Sequence, residues 1–127
     1  MRVLVTGAAG FIGHALSLRL LARGDTVIGV DSLNDYYAVS LKQARLAGLR
    51  AAGGNRFSFH QLDFADYPAL TAALEGTAFD RIVHLGAQAG VRYSIENPHA
   101  YVQSNLVGHV NLMALARHRE VEHLVYA

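Results

Sequence analysis

Three glycines, Gly7, Gly10 and Gly13, stand three apart in the run Thr6-Gly7-Ala8-Ala9-Gly10-Phe11-Ile12-Gly13, between a short apolar run and a segment of helical period. That placement suits a phosphate cradle. Gly7 permits a tight turn, Gly10 lets backbone N–H groups approach a pyrophosphate, and Gly13 lets the helix pack against the strand with its N-terminus facing the anion. A second chemical group closes the next apolar run, where Asp31 follows Val27-Ile28-Gly29-Val30. Its distance from the glycines is close to the roughly 20 residues expected of a carboxylate that accepts from ribose hydroxyls. Asp31 would repel a 2′-phosphate, and no arginine follows immediately to receive one, so these residues select NAD over NADP. The alternative for Asp31 is a strand-ending aspartate that only caps a loop.

Other chemistries lack their residues. The chain has no cysteine, which removes disulfides, thiolate metal sites and cysteine nucleophiles together. Its seven histidines include no His-Glu-x-x-His, so they read as surface or packing residues and no metal site is expected. No Gly-x-Ser-x-Gly elbow and no Gly-Lys-Ser/Thr occurs, which excludes common hydrolase and nucleotide-triphosphatase signatures. Tyr37 and Lys42 are one residue too far apart for a Tyr-x-x-x-Lys pair.

The elements that must hold the glycines and Asp31 follow from periodicity. Short β-branched runs predict strands at Arg2–Val5, Thr26–Asp31, Arg56–Gln61, Arg81–Leu85 and His123–Ala127. Helical spacing of Phe11, Ala15, Leu18 and Ala22 predicts a helix from Phe11 to Arg23 with Gly24 as its stop. Further helices are predicted from Tyr36 to Arg50, from Tyr67 to Leu74, and from Pro98 to Arg119. The alternation predicts an α/β fold, a doubly wound parallel sheet of Rossmann type with strand order 3-2-1-4-5. The apolar fifth strand and the chain end together at Leu124-Val125-Tyr126-Ala127, so the expected sheet is truncated after that strand and its edge invites self-association.

With 127 residues, 52% hydrophobic, and a net charge of +1, the composition suits one globular domain. Lacking a basic stripe, the chain offers little to nucleic acid. No apolar run reaches the roughly 20 residues of a membrane span, and no signal-peptide pattern precedes the glycines. A cytoplasmic location is the expectation.

The spacing Gly-x-x-Gly-x-x-Gly resembles that of extended short-chain dehydrogenases/reductases. Three later segments narrow the resemblance: Asp31-Ser32-Leu33-Asn34-Asp35-Tyr36-Tyr37, His84-Leu85-Gly86-Ala87-Gln88-Ala89-Gly90-Val91-Arg92-Tyr93-Ser94, and Ser104-Asn105-Leu106-Val107-Gly108. They are similar to those of NAD-dependent nucleotide-sugar epimerases, and the tyrosine pair with Gly-Val-Arg-Tyr-Ser is most similar to UDP-glucuronate 4-epimerases.

The resemblance implies a cofactor site built from Gly7, Ala9, Gly10, Phe11, Ile12, Gly13, Asp31, Asn34, Asp63, Phe64, Leu85, Gly86, Ala87 and Asn105. Within it, Asp63 would bond the adenine amino group with Phe64 beside the ring, although Asp63 could instead cap the next helix, a task Asp66 is better placed for. Leu85, Gly86 and Ala87 would line the pyrophosphate and nicotinamide ribose. Alanine is usual in the family where this chain has Gly86, a departure expected to loosen the loop at little chemical cost. Asn105 would lie near the nicotinamide, or else be a polar helix residue facing solvent. Arg92 would meet a substrate phosphate or carboxylate; an exposed arginine without a partner is equally consistent with its position. The family's catalytic serine or threonine, tyrosine and lysine follow the fifth strand, so the 127 residues alone are expected to be inactive. The intact relative would be a homodimer acting on a UDP-sugar by transient C4 oxidation. A non-catalytic NAD-binding module, or a nucleotide-sugar dehydratase or decarboxylase, would share these features.

Overall fold

A computed structural model describes residues 1–127. Five strands, β1 (Arg2–Thr6), β2 (Thr26–Asp31), β3 (Phe57–Gln61), β4 (Arg81–His84) and β5 (His123–Tyr126), form one parallel sheet of order β3-β2-β1-β4-β5. Helices α1 (Phe11–Arg23), α2 (Val39–Gly53), α3 (Tyr67–Ala73), α4 (Tyr93–Glu96), α5 (Pro98–Tyr101) and α6 (Gly108–His118) connect them. The fold matches the sequence expectation in class, order and number of strands.

The sheet separates two apolar layers. On one side Val3, Val5 and Val27 pack with Leu20 and Leu21 of α1 and Leu46 and Leu49 of α2. Leu4, Ile28, Val30 and Ile82 face the other side, against Leu70 of α3 and Leu112 and Leu115 of α6. Alternate residues of β1 therefore serve opposite cores, which explains why its sequence is continuously apolar instead of alternating. β1 lies centrally, with Thr6 opposite Val30 on one side and His84 on the other. That register brings the C-terminal ends of β1, β2 and β4 to one edge, where ligands of open parallel sheets bind.

Helix ends follow local chemistry. Gly24, at φ 98°, closes α1 with its N–H directed at the Leu20 and Leu21 carbonyls. Asp66, not Asp63, caps α3 by accepting from the Ala69 N–H at 3.1 Å. Several boundaries differ from expectation. α2 starts at Val39, later than Tyr36, because Tyr36 and Tyr37 turn into an aromatic cluster with Tyr93 and Leu33 takes a left-handed φ of 55°. A 3-10 turn over Gly54–Arg56 delays β3 by one residue. β4 stops at His84 because the Leu85 N–H leaves the ladder for the Thr6 hydroxyl, and β5 stops at Tyr126. The expected helix after Pro98 runs unbroken to His118, as α5, a π-helical stretch over Val102–Val107, and α6. α4 falls in a segment expected to be loop.

Candidate functional site

At the sheet's C-terminal edge, β1 gives way to the glycine turn. Gly7 has φ +68°, and a Cβ there would lie 2.9 Å from Gly86 N and 3.1 Å from Leu85 C, so the position requires glycine both for conformation and for the approach of the β4 loop. At Gly13 a Cβ would penetrate the Gly7 carbonyl, coming within 2.7 Å of its carbon. The first helical turn is thereby pressed onto the loop. α1 has no capping side chain and no acid in its first turn; the N–H groups of Phe11, Ile12 and Gly13 have no acceptor within the chain. Uncompensated donors at a positive helix end make an anion site. The exposed side chains of Phe11 and Ile12 flank it.

Asp31 is buried at the end of β2. Its Oδ2 accepts from Ala9 N–H at 3.0 Å and its Oδ1 from Leu33 N–H at 2.9 Å. These bonds fix the carboxylate beside the glycine turn and leave each oxygen a further lone pair for hydroxyl donors. Asn34 is exposed, and Lys42 Nζ occupies both of its oxygens, at 2.9 Å and 3.0 Å. The Asn34 amide N–H groups remain to be given. Sequence reasoning considered Lys42 only as a partner for Tyr37. Its position one turn before Leu46, on the buried stripe of α2, is the signal that could have found it.

Beyond β3, Asp63 is exposed, with one oxygen accepting from Ala65 N–H at 2.9 Å and the other open. Phe64 is buried. Its ring meets His84 edge-on at 5.1 Å and fills the space over two glycines: a Cβ on Gly86 would lie 3.1 Å or less from it, and one on Gly108 about as far inside contact, at 2.5 Å. The glycine at position 86 is thus required by a large neighbour, and the expectation of a loosened loop of little consequence does not describe it.

The β4 loop is tied at both ends. Thr6 Oγ1 accepts from Leu85 N–H at 3.2 Å and Gly86 N–H at 3.1 Å, and Ala87 follows on the exposed rim. Farther along, Asn105 in the π-helical stretch accepts from Gln88 N–H at 2.8 Å and donates to Gln88 O at 3.1 Å. The Tyr101 hydroxyl donates to the Ala89 and Gly90 carbonyls. Asn105 therefore does more than face solvent. Arg92, just before α4, is exposed and makes no ion pair.

His84 sits under this loop with its Nδ1 2.6 Å from Thr6 Oγ1. Because that oxygen already accepts two N–H groups, its own proton goes to Nδ1, so the imidazole is neutral with hydrogen on Nε2. Burial, with His109 stacked 5.3 Å away, pushes its pKa down to about 4. An unfolded chain would take up this proton near pH 6.5, so stability contributed by the neutral form is full above that value and falls as pH drops toward 4. The steepest slope is about 1.4 kcal/mol per pH unit. Urea melts between about pH 7 and pH 4.5 should show this slope, and His84→Phe should remove it. An unchanged slope in the variant would place the proton uptake elsewhere, for instance on His14, whose pKa is also lowered by burial and by Arg45.

The family model described as GDP-mannose 4,6 dehydratase matches residues 4–126. Among curated relatives, a UDP-glucuronate 4-epimerase of Thermodesulfobacterium geofontis is 45% identical over 98% of this chain and 38% of its own length. UDP-glucuronate 4-epimerase 4 of Arabidopsis thaliana is 48% identical over 91% of this chain and 26% of its own. Among solved structures, a UDP-glucose 4-epimerase from Stenotrophomonas maltophila, with bound NAD and formylated UDP-arabinopyranose, superimposes with TM-score 0.84 at 32% identity, over 99% of this chain and 36% of that one. A dTDP-glucose 4,6-dehydratase double mutant from Streptomyces venezuelae, with NAD, gives 0.79 at 33% identity over 98% and 38%. The chain thus spans little more than a third of these relatives at most. By the match across nearly all its residues, this chain belongs to the GDP-mannose 4,6 dehydratase family.

Proposed function

We propose that this chain is the NAD-binding portion of a nucleotide-sugar enzyme that interconverts UDP-glucuronate and UDP-galacturonate through transient oxidation at C4. The observation that carries the cofactor reading is the pairing of an uncapped helix N-terminus behind Gly7 and Gly13 with a fixed carboxylate, Asp31, beside it. The former suits a pyrophosphate and the latter a ribose diol. NAD, when bound, supplies the hydride acceptor and donor.

The chain's own residues divide the work. Ala9 and Gly10 shape the turn, and the N–H groups of Phe11, Ile12 and Gly13 face the pyrophosphate. Asp31 accepts from the ribose, with the Asn34 amide donating nearby. Asp63 offers its open oxygen to the adenine amino group, while Phe64 supports that wall from within the core. Leu85, Gly86 and Ala87 form the rim toward the nicotinamide, held by Thr6 and, through Gln88, by Asn105. Arg92 is assigned to the anionic part of a UDP-sugar, its phosphate or carboxylate. The exposed apolar stripe Val102, Leu106, Val110 and Met113 supports a homodimer contact along this helix.

UDP-glucuronate is the substrate proposed because curated relatives named for that activity are 45–48% identical to this chain. In the protein carrying this chain, NAD and UDP-glucuronate are expected to yield UDP-galacturonate, separated by anion-exchange chromatography. Release of carbon dioxide with a UDP-pentose would mark a decarboxylase instead. A 4-keto-6-deoxy product from a nucleoside-diphosphate hexose would mark a dehydratase.

A further inference from the structure

Lys42 is a buried cation without a counter-charge. It is 6% exposed, its ammonium is held only by the two Asn34 oxygens, and no carboxylate pairs with it. An ammonium has three donors, so one N–H is unspent. One turn along α2, Arg45 donates to the Ala9 carbonyl at 3.1 Å and also lacks a carboxylate partner. A buried or half-buried cation of this kind is normally balanced by an anion.

Both cations end beside the groups that fix Asp31. Ala9 gives its N–H to Asp31 and its carbonyl to Arg45. Leu33 gives its N–H to Asp31, and the carbonyl of the next residue, Asn34, accepts from Lys42. The two positive groups therefore bond the same two backbone segments, at Ala9 and at Leu33-Asn34, that hold the Asp31 carboxylate. Asp35, the other acid of this loop, is exposed and unpaired.

We propose that Lys42 and Arg45 form a 2′-phosphate pocket that Asp31 holds closed, so that one carboxylate decides which dinucleotide the chain accepts. The proposal rests on the cofactor reading above. A ribose diol donates to Asp31 and needs no cation. A phosphate on the same oxygen is repelled by Asp31; with that charge gone, it meets two donors able to make charge-assisted bonds. The cations come from the helix instead of the residues directly after the acid, which is why the sequence alone shows no phosphate partner.

Fluorescence titrations with NADH and NADPH test this on the unmutated protein, Asp31→Asn and Asp31→Ser, each with and without Lys42→Met or Arg45→Met. The unmutated protein should prefer NADH by about 100-fold. Either Asp31 variant should gain about 10-fold or more in NADPH affinity, and adding Lys42→Met or Arg45→Met should take about 10-fold back while NADH affinity falls by a clearly smaller factor, so that the NADPH-to-NADH ratio drops. Serine guards against an asparagine amide that disturbs the Ala9 and Leu33 N–H groups. The pocket is overturned if neither Asp31 variant gains NADPH affinity. It is equally overturned if both second substitutions weaken NADH and NADPH alike, since a residue that only holds the loop would do that. Binding of neither dinucleotide by the unmutated protein would overturn the cofactor reading and the pocket together.

Discussion

Gly13→Ala is expected to cost the protein its dinucleotide binding, with NADH affinity falling by about 100-fold or more, and to lower stability by about 1–3 kcal/mol. The added methyl would sit inside the Gly7 carbonyl group. Neither partner can yield cheaply: Gly7 is held at φ +68° against Gly86, and its carbonyl accepts from Gly10 N–H at 2.9 Å. The helix must therefore move away from the turn, taking with it the free N–H groups of Phe11, Ile12 and Gly13. Gly24→Ala is the control, because a Cβ there meets nothing within 4 Å although φ is +98°. It should lower stability while leaving NADH affinity within about threefold. Thermal melts and fluorescence titration separate the two effects, and a Gly13→Ala protein that binds NADH normally would show that the helix N-terminus does not hold the cofactor.

The second large effect concerns Phe64. Gly86→Ala alone should destabilise by about 1–3 kcal/mol, because the ring lies where the methyl must go. Phe64→Leu alone should also destabilise, by about 1 kcal/mol, through lost contact in a core that includes Leu70, Leu112 and Ile82. Together they should cost less than their sum by about 1 kcal/mol or more, since the smaller side chain makes room for the methyl. Urea denaturation of the four proteins measures this coupling. Additive costs would mean that the ring and the loop do not compete for the same space. Gly108 sets the limit of the rescue, because the opposite edge of the ring rests on it.

The glycine turn, Asp31 and all five strands were legible because each depends on neighbours close in sequence or on a parallel sheet's demand for apolar residues on both faces. Asp66 as the α3 cap and Gly24 as the α1 stop were legible for the same local reason. What escaped were contacts between distant segments. Phe64 reads as a neighbour of the adenine ring until Gly86 and Gly108 are seen on either side of it. Lys42 reads only as a mis-spaced partner for Tyr37 until its ammonium is found on Asn34. Tyr36 satisfies a helical pattern, yet its ring packs 5.0 Å from Tyr93, and that attraction draws it out of the helix. Apolar spacing also could not reveal the π-helical stretch, because its bonds change partner without changing residue type.

That stretch makes the helix after Pro98 an instrument with two settings. An α-helix advances by roughly 100° per residue, so a segment carrying an extra residue within a turn rotates everything beyond it relative to everything before. Upstream of the change, Tyr101 aims at the loop carbonyls; within it, Asn105 aims at Gln88; downstream, Gly108 and Leu112 aim at the core. All three bearings depend on how many residues the helix fits into the turns between them. The length of the segment between Tyr101 and Gly108 is therefore an angular quantity, and gaining or losing one residue there would re-point half the helix while barely changing its reach.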